Sequence, residues 1–254
     1  MKRTDYEDVA ARYDENTTRH QIPTDALLAG LVDAKKADPP VEALDLACGS
    51  GNYLSVQSAA FGERVRWRGI DASEAMLARA RTKLAADIDL CIGRAEALPY
   101  EDDTFDYVST SFAFHHFEDK SRALDEVRRV MKPGATLHMF NIEPTHMRGW
   151  WVYGFFPEAR LEDEKRFWSP ELLQQELEQR GFDARVRVTV DLARVPLTEI
   201  SGDTERRDIS QLAILPAEAY ARGLERVRAA VAKDPKGSAI STIALLVLTA
   251  RLRP

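Results

Sequence analysis

A glycine-rich loop and a carboxylate farther along the chain are the first residues here whose types and spacing could bind a ligand. Gly49 and Gly51 lie in the run Asp45-Leu46-Ala47-Cys48-Gly49-Ser50-Gly51, between a strand-like segment and a helical pattern. Glycines there permit a tight turn and let the backbone approach a ligand beside a helix N-terminus. Asp71 follows 20 residues after Gly51, at the end of the next strand-like segment, where a carboxylate can accept both hydroxyls of a ribose.

The same residues argue against two common nucleotide-binding loops. A dinucleotide fingerprint needs Gly or Ala three residues after its second glycine, where Leu54 stands, and a P-loop needs a Gly-Lys-Ser/Thr ending that is absent. Asp71 by itself is more typical of a helix cap. Its spacing from the glycine loop favours a nucleoside-binding role.

Two adjacent histidines, His115 and His116, follow the fourth strand-like segment. An imidazole could take a proton from an acceptor hydroxyl or amine, which would make either residue catalytic. A neutral histidine also packs or hydrogen-bonds in such a position, so both roles stay open. The pair lacks the i, i+4 spacing of metal-binding histidines, and Cys48 and Cys91 cannot form a zinc site between them. We expect no metal.

The composition limits the partners and the compartment. The 254 residues are 44% hydrophobic and 30% charged, with a formal net charge of −6. Basic residues do not cluster, so we expect no nucleic-acid partner. No apolar run approaches the roughly 20 residues of a spanning helix, and the first 15 residues lack an apolar signal segment, so we expect no membrane insertion. Two cysteines fit a reduced, cytoplasmic protein.

The elements that must position these residues alternate between strand and helix patterns, which is typical of an α/β fold with a parallel sheet. Strands are predicted near 43–48, 65–70, 88–93, 105–111, 135–142, 182–190 and 241–252. Helices are predicted near 53–61, 74–85, 120–131, 170–180 and 216–232. The run Lys132-Pro133-Gly134 is a stop signal for the third of these helices, and Gly181 marks the end of the fourth.

Three segments are predicted to lie outside the sheet. Residues 1–40 carry helical patterning and are separated from the first strand by Pro39-Pro40, which predicts an N-terminal helical arm or lid. Residues 143–168 hold seven aromatic residues, and 191–215 mix charges with Pro196 and Gly202. We therefore predict a main domain over 41–254, with insertions at 143–168 and 191–236 after the fifth and sixth strands.

Four motifs in order carry a resemblance to a known family: DLACGSG at 45–51, GIDAS at 69–73, GRAEALPYEDDTFDYVSTSFAFHHF at 93–117 and RRVMKPGATL at 128–137. Together they resemble the class I S-adenosylmethionine-dependent methyltransferases, and specifically the group similar to the ubiquinone and menaquinone biosynthesis methyltransferases. The resemblance covers about residues 40–142. It implies a Rossmann-like, doubly wound, seven-stranded and mostly parallel sheet with the last strand antiparallel, and S-adenosylmethionine bound at the C-terminal strand ends.

The resemblance also implies roles for individual residues. The Gly49–Gly51 loop would pass under the methionyl part of the cofactor, Asp71 would hold the ribose and Met76 would pack on the adenine. The remaining cofactor-binding residues that we predict are Tyr13, Arg19, Asp45, Ser50, Ala72, Ala95, Glu96, Ser111, Phe112 and His116. Relatives usually have an acidic residue where Arg94 stands, and an arginine cannot accept a hydrogen bond from the adenine amine. Either Glu96 replaces it, or backbone and packing hold the adenine.

The acceptor is expected to be a small organic molecule, flat or partly apolar. Segment 143–168 follows the fifth strand, and its aromatic residues could build such a pocket or could equally anchor a helical cover. Because positioning supplies much of the acceleration of an in-line displacement, a dedicated base is optional. An alternative is a non-catalytic cofactor-binding regulatory or scaffold protein. We expect a monomer or a homodimer.

Overall fold

Seven strands form one sheet in the order β3-β2-β1-β4-β5-β7-β6 in the computed structural model, which describes residues 10, 13–14, 22–36, 39–207 and 209–254. The strands are β1 (Val41–Leu46), β2 (Val65–Asp71), β3 (Asp89–Ile92), β4 (Phe105–Ser111), β5 (Met131–Ile142), β6 (Phe182–Pro196) and β7 (Ser238–Leu252). The β1, β2, β3, β4 and β5 ladders are parallel and the last strands are antiparallel. The predicted fold class is confirmed.

Ten helices lie in the described part of the chain, and three of them begin at a capping side chain. The ten are α1 (Ala26–Lys35), α2 (Asn52–Phe61), α3 (Glu74–Lys83), α4 (Lys120–Val130), α5 (Trp151–Phe155), α6 (Pro157–Arg166), α7 (Pro170–Gln179), α8 (Leu197–Arg206), α9 (Ser210–Ala213) and α10 (Ala217–Lys233). Asp25, Ser73 and Asp119 accept backbone N–H groups in the first turns of α1, α3 and α4. Helix α1 supports a helical arm, although most of residues 1–21 lie outside the described residues.

Two expectations about local structure were wrong. Residues 191–196 belong to β6, because Asp191 and Arg194 occupy exposed positions of an edge strand and Pro196 ends it, where no ladder hydrogen bond is lost. Lys132-Pro133-Gly134 follows the end of α4 as expected but lies within β5. The β4–β5 register jumps there from Phe105↔Met131 to Tyr107↔Thr136, so the turn residues form a bulge.

The chain divides into two compact units. The core unit contains the described residues up to 141, with 171–186 and 247–254. One apolar cluster of the core unit joins α1, α2 and α3 to β1, β2 and β4. Its members include Leu28 and Val32 of α1, Leu54 of α2, Leu77 of α3, Ala43 of β1 and Tyr107 of β4. This packing fixes the strand ends from which the glycine loop and Asp71 emerge.

The insertion unit contains residues 142–170 and 187–246. Its apolar cluster is built from the aromatic residues of α5 and the segments around it, with aliphatic side chains of α8, α10 and β7. Within the unit, the Gly149 carbonyl accepts the Thr242 N–H at 3.2 Å. The predicted domain boundaries, including that of the arm at residue 40, stay predictions.

Candidate functional site

A cleft of the core unit opens at the C-terminal ends of β1, β2 and β4. Its walls contain most of the residues that the sequence singles out, brought together from five separate stretches of the chain. They are Tyr13, Leu46, Ala47, Gly49, Ile70, Asp71, Ala72, Met76, Gly93, Arg94, Ala95, Glu96, Ser111, Phe112, Ala113, His116 and Phe117. The position agrees with the rule that ligands of open α/β sheets bind at the carboxyl ends of the strands.

The two glycines of the loop have different surroundings. Gly49 has a φ of +55°, and a Cβ added there would meet nothing within 4 Å, so this position faces open space in the cleft. Gly51 has a φ of +80°, and its Cβ would lie 3.1 Å from Ala80 Cβ and 3.0 Å from Leu84 Cδ1. Gly51 is therefore needed for close packing of the loop on α3 and does not line the cleft.

Asp71 connects the end of β2 to the glycine loop. Its Oδ2 accepts the Gly49 N–H at 2.8 Å, and its Oδ1 accepts the Ser73 N–H at 2.9 Å. Asp71 also lines the cleft, so its carboxylate lies where a ligand could reach it. The helix-cap interpretation of Asp71 is wrong in detail, because Ser73 caps α3 by accepting the Met76 N–H.

Asp45 lies behind the wall of the cleft. It is 2% exposed, and its Oδ1 accepts the Ser109 hydroxyl at 2.8 Å. Burial raises the pKa of Asp45 to about 7; the Ser109 hydrogen bond opposes the shift and the negative charge of Asp71 adds to it. Ser50, also 2% exposed, and Gly51 likewise lie outside the lining, so these three predicted residues support the loop from behind.

Arg94 lies between two glutamates at another wall of the cleft. Its Nη2 is 2.6 Å from Glu118 Oε1, and its Nε is 3.5 Å from Glu96 Oε2. Glu96 Oε1 also accepts the backbone N–H of Glu118 at 2.6 Å. Glu96 is thus occupied in holding the turn that precedes α4, while Arg94 neutralises part of the local negative charge.

Phe112 stands at the end of β4 in a conformation that side chains rarely adopt. Its φ is +53°, its N–H donates to the Phe140 carbonyl at 2.8 Å, and it is 49% exposed in the cleft wall. Ala47, at the end of β1, also has a positive φ of 59°. Non-glycine residues in this region cost free energy, and such strain concentrates at binding sites.

The two histidines occupy different environments. His116 lines the cleft, whereas His115 is 3% exposed and its Nδ1 lies 3.2 Å from Asn141 Oδ1. The ring centroids are 3.9 Å apart. Both belong to the short 3-10 turn Phe114–His116, and the two rings lie against each other with His115 as the buried one. His116 therefore stays a catalytic candidate, and His115 serves as its inner support.

Asp14 is a functional candidate that the sequence did not reveal. Its carboxylate accepts the Ser50 hydroxyl at 2.8 Å and forms ion pairs with Lys83 Nζ at 2.8 Å and Arg79 Nε at 3.0 Å. Burial opposes ionisation, but these hydrogen bonds outweigh it and hold the pKa of Asp14 well below its usual range. The preceding residue, Tyr13, lines the cleft. Arg19 lies outside the described residues.

A second unpredicted cluster is buried beside α1. Asp25 Oδ2 accepts the hydroxyl of Tyr53 at 2.7 Å and of Tyr107 at 2.5 Å, and it lies 2.8 Å from His138 Nδ1. These partners come from α2, β4 and β5. The cluster fastens the start of α1 to the sheet.

The aromatic residues of 143–168 pack mainly into the interior of the insertion unit. Trp150 and Trp151 are each 7% exposed, and the buried Tyr153 hydroxyl donates to Asp163 Oδ2 at 2.6 Å. Asp163 also pairs with the buried Arg166. This arrangement favours the anchoring interpretation of these aromatics over an open pocket lined by all of them.

The described residues also bear on metal sites and membrane-spanning helices. No group of three or more His, Cys, Asp or Glu residues in that part of the chain is arranged to hold a metal ion. Within the same residues, no helix has both the length and the apolar character needed to cross a membrane.

Comparison with known proteins finds a family match for part of the chain. Residues 44–139 match the family described as a methyltransferase domain. This segment is thus similar to that family. It runs from within β1 to within β5 and includes both the glycine loop and Asp71.

The chain is also similar to curated relatives over part of its length. A demethylmenaquinone methyltransferase from Shouchella clausii is 44% identical over 99 residues, which are 37% of this chain and 42% of the relative. One from Bacillus mycoides is 40% identical over 100 residues, 38% of this chain and 42% of the relative. The chain spans less than half the length of the curated relatives it matches.

Solved structures share the fold over nearly the whole chain. The YcgJ protein from Bacillus subtilis has a TM-score of 0.62 at 18% identity and covers 89% of this chain and 98% of its own. A Haemonchus contortus phosphoethanolamine N-methyltransferase, solved with phosphomonomethylethanolamine and S-adenosylhomocysteine, has a TM-score of 0.54 at 18% identity, covering 88% and 52%. These likenesses concern the fold.

Proposed function

We propose that this protein transfers a methyl group from S-adenosylmethionine to a small organic acceptor. The observation that carries the proposal is the convergence of three of the four sequence motifs, 45–51, 69–73 and 93–117, on one cleft within the segment that matches the methyltransferase family. Gly49, Asp71 and Ala95 come from different motifs, Phe112 belongs to the same motif as Ala95, and all four line the same space. When bound, S-adenosylmethionine supplies an activated methyl group on a sulfonium that is itself a good leaving group.

The residues at the cleft fit the parts of this cofactor. Asp71 lines the cleft, and a carboxylate is an acceptor suited to ribose hydroxyls. The open space at Gly49 allows the backbone to approach a ligand closely. Met76, 2% exposed, supplies an apolar and adaptable surface suited to a flat purine.

Arg94 and Glu96 lead us to propose that adenine is recognised without a dedicated side-chain acceptor. Arg94 has only donors, and Glu96 already accepts from the Glu118 backbone and pairs with Arg94. The backbone around Ala95 and packing by Met76 would then hold the base. Glu96 contributes by fixing the chain that closes this end of the cleft.

Positioning is the main source of acceleration in this proposal. An in-line displacement needs the acceptor atom close to the methyl group and aligned with it, and orientation alone can supply much of the rate. Phe112 and Ser111 form the wall that would face the reacting centre. His116 lines the same wall, where it either orients the acceptor or takes its proton.

The acceptor that we propose is flat or partly apolar. The exposed ring of Phe112 offers an apolar surface in the cleft, and the formal net charge of −6 disfavours a polyanionic acceptor such as nucleic acid. Curated relatives are named for demethylmenaquinone, a quinone, which falls in the same chemical class. We further propose that the protein works in the cytoplasm.

Two measurements test the proposal in sequence. Calorimetric titration with S-adenosylhomocysteine should give saturable binding with one site, and titration with NAD should give none. Incubation with methyl-labelled S-adenosylmethionine and a panel of quinols, phenols and amines should label a small product. Absence of S-adenosylhomocysteine binding to the folded protein would overturn the proposal, and binding without any labelled product would favour a non-catalytic protein.

A further inference from the structure

The outer side of β6 is an exposed strand edge. In the order of the sheet β6 is terminal, and among the described residues its one strand neighbour is β7. Every residue from 189 to 194 is exposed, and Val190 and Leu192 are 44% and 72% exposed. Ile240 on β7 adds a third apolar side chain, 57% exposed. A long edge with exposed apolar side chains is a template for pairing with another strand.

Two hydrogen bonds set the register of β6 against β7. The Leu197 N–H donates to the Gly237 carbonyl at 3.0 Å, and the Thr189 hydroxyl donates to the Leu245 carbonyl at 3.5 Å. Residue numbers therefore rise in opposite directions along β6 and β7, with odd-numbered β6 residues bonded toward β7. In a regular antiparallel ladder the even-numbered residues, Val188, Val190 and Leu192, then direct N–H and C=O groups to the free edge.

We propose that this edge pairs with the same edge of a second copy of the chain, forming an antiparallel strand pair centred on Thr189. A two-fold axis makes two identical edge strands antiparallel, so the contact is self-complementary and closed. Centring on Thr189 places Val188 opposite the partner's Val190 in a hydrogen-bonded pair. The proposal is independent of the methyltransferase function.

Charge complementarity supports this register. Arg187 and Asp191 are exposed on the same face of β6, and neither takes part in an ion pair within the described part of the chain. With Thr189 at the centre, Arg187 faces the partner's Asp191, and the symmetry repeats the pair. Opposite charges directly across two strands stabilise the pairing, and like charges destabilise it.

Charge reversal tests the register in solution. We expect sedimentation velocity to show a wild-type dimer between micromolar and submillimolar concentrations. Arg187→Asp should weaken the dimer about tenfold or more, and Arg187→Asp combined with Asp191→Arg should restore it. Arg185→Asp makes the same change of charge at another exposed position of β6 that faces Ala193 in this register, and it should leave the dimer intact.

Cysteine cross-linking supplies a geometric test. Thr189 faces its own copy across the proposed axis, so Thr189→Cys in a Cys91→Ser background should give a covalent dimer when dioxygen with copper phenanthroline oxidises the two thiols to a disulfide. Cys48 is buried and stays out of the reaction. Ala193→Cys, on the same face but four residues from the axis, should stay uncross-linked.

Three results would overturn the proposal: a monomeric wild-type protein over the whole range, equal effects of Arg185→Asp and Arg187→Asp, or failure of the double reversal to restore the dimer. Circular dichroism and thermal melting establish that each variant is folded. Co-sedimentation of a monomer with anionic phosphatidylserine vesicles, lost in both arginine variants alike, would assign the edge to a membrane surface instead.

Discussion

The carboxylate of Asp71 holds the backbone of Gly49, 22 residues earlier in the chain, through a hydrogen bond of 2.8 Å. One side chain at the end of β2 thus fixes the loop that follows β1. The carboxylate that would hold the ribose also shapes the loop beneath the cofactor. Ribose binding and the conformation of the glycine loop therefore depend on the same side chain. Substitution of Asp71 should therefore affect more than one ligand contact.

Asp71→Ala should weaken S-adenosylhomocysteine binding by about 10-fold to 150-fold, which corresponds to roughly 1.5–3 kcal/mol for the lost acceptor. Isothermal titration at constant pH measures this directly. Asp71→Asn keeps one acceptor oxygen and should lose less affinity. Unchanged affinity in a folded Asp71→Ala protein would mean that the nucleoside binds elsewhere.

The two loop glycines should separate binding from stability. Gly49→Ala places a methyl group in the open cleft, so its main effect should be on S-adenosylhomocysteine affinity. Gly51→Ala forces a methyl group within 3.1 Å of Ala80, so it should lower the melting temperature more than Gly49→Ala does. Both variants share the cost of a left-handed conformation, about 1–2 kcal/mol, which makes each the control for the other.

His116→Gln distinguishes a base from a positioning residue. Glutamine keeps hydrogen-bonding capacity but cannot carry the proton, so loss of a general base should lower the single-turnover rate by about 10²-fold to 10⁴-fold without weakening cofactor binding. A positioning role predicts nearly full activity, and this is the outcome that we expect. The wild-type rate should then fall little as acid protonates His116.

His115→Gln is the matched comparison for that experiment. Because His115 is buried against Asn141, its substitution should lower the melting temperature rather than the rate at saturating substrate. A rate loss in His115→Gln equal to that in His116→Gln would contradict the separate placement of the two rings.

Asp45 should make stability depend on pH near neutrality. Its pKa is raised to about 7, so the folded protein holds the proton more tightly than the unfolded chain does. The resulting stability is fully present below pH about 4 and is lost as the pH rises toward 7. Asp45→Asn should therefore gain melting temperature relative to wild type at pH 8, with a difference that shrinks toward pH 4. A constant difference across this range in denaturation scans would refute the assignment.

Asp14 should contribute to cofactor affinity through the segment that it fastens. Asp14→Asn weakens the ion pairs with Lys83 and Arg79 that hold Tyr13 at the cleft. We expect S-adenosylhomocysteine affinity to fall about threefold to tenfold, since partly buried charge pairs exceed the small value of exposed ones. Asp33→Asn, at an exposed position of α1, is the control and should change nothing.

The sequence determined the elements and the chemistry of the central site. Alternating apolar runs and helical periodicity record which face of each segment is buried, so the five parallel strands and the helices between them could be predicted locally. The turn requires a glycine at position 49, and the proposed ligand requires a carboxylate at position 71. Both residue types, and the spacing between them, can be read directly from the sequence. Ser169-Pro170 and Gly181 likewise marked the two ends of α7.

Only the tertiary structure decided which distant residues meet. Asp14 and Ser50, or Asp25 and His138, are joined across 36 and 113 residues, and no local periodicity records such pairs. The adjacent His115 and His116 are alike in sequence, yet His115 is buried beside Asn141 and His116 lines the cleft. Residues 191–196 joined the sheet because β7 supplied a partner for their backbone groups. Local patterns encode burial, whereas long-range contacts depend on how the packed elements bring separate segments of the chain together.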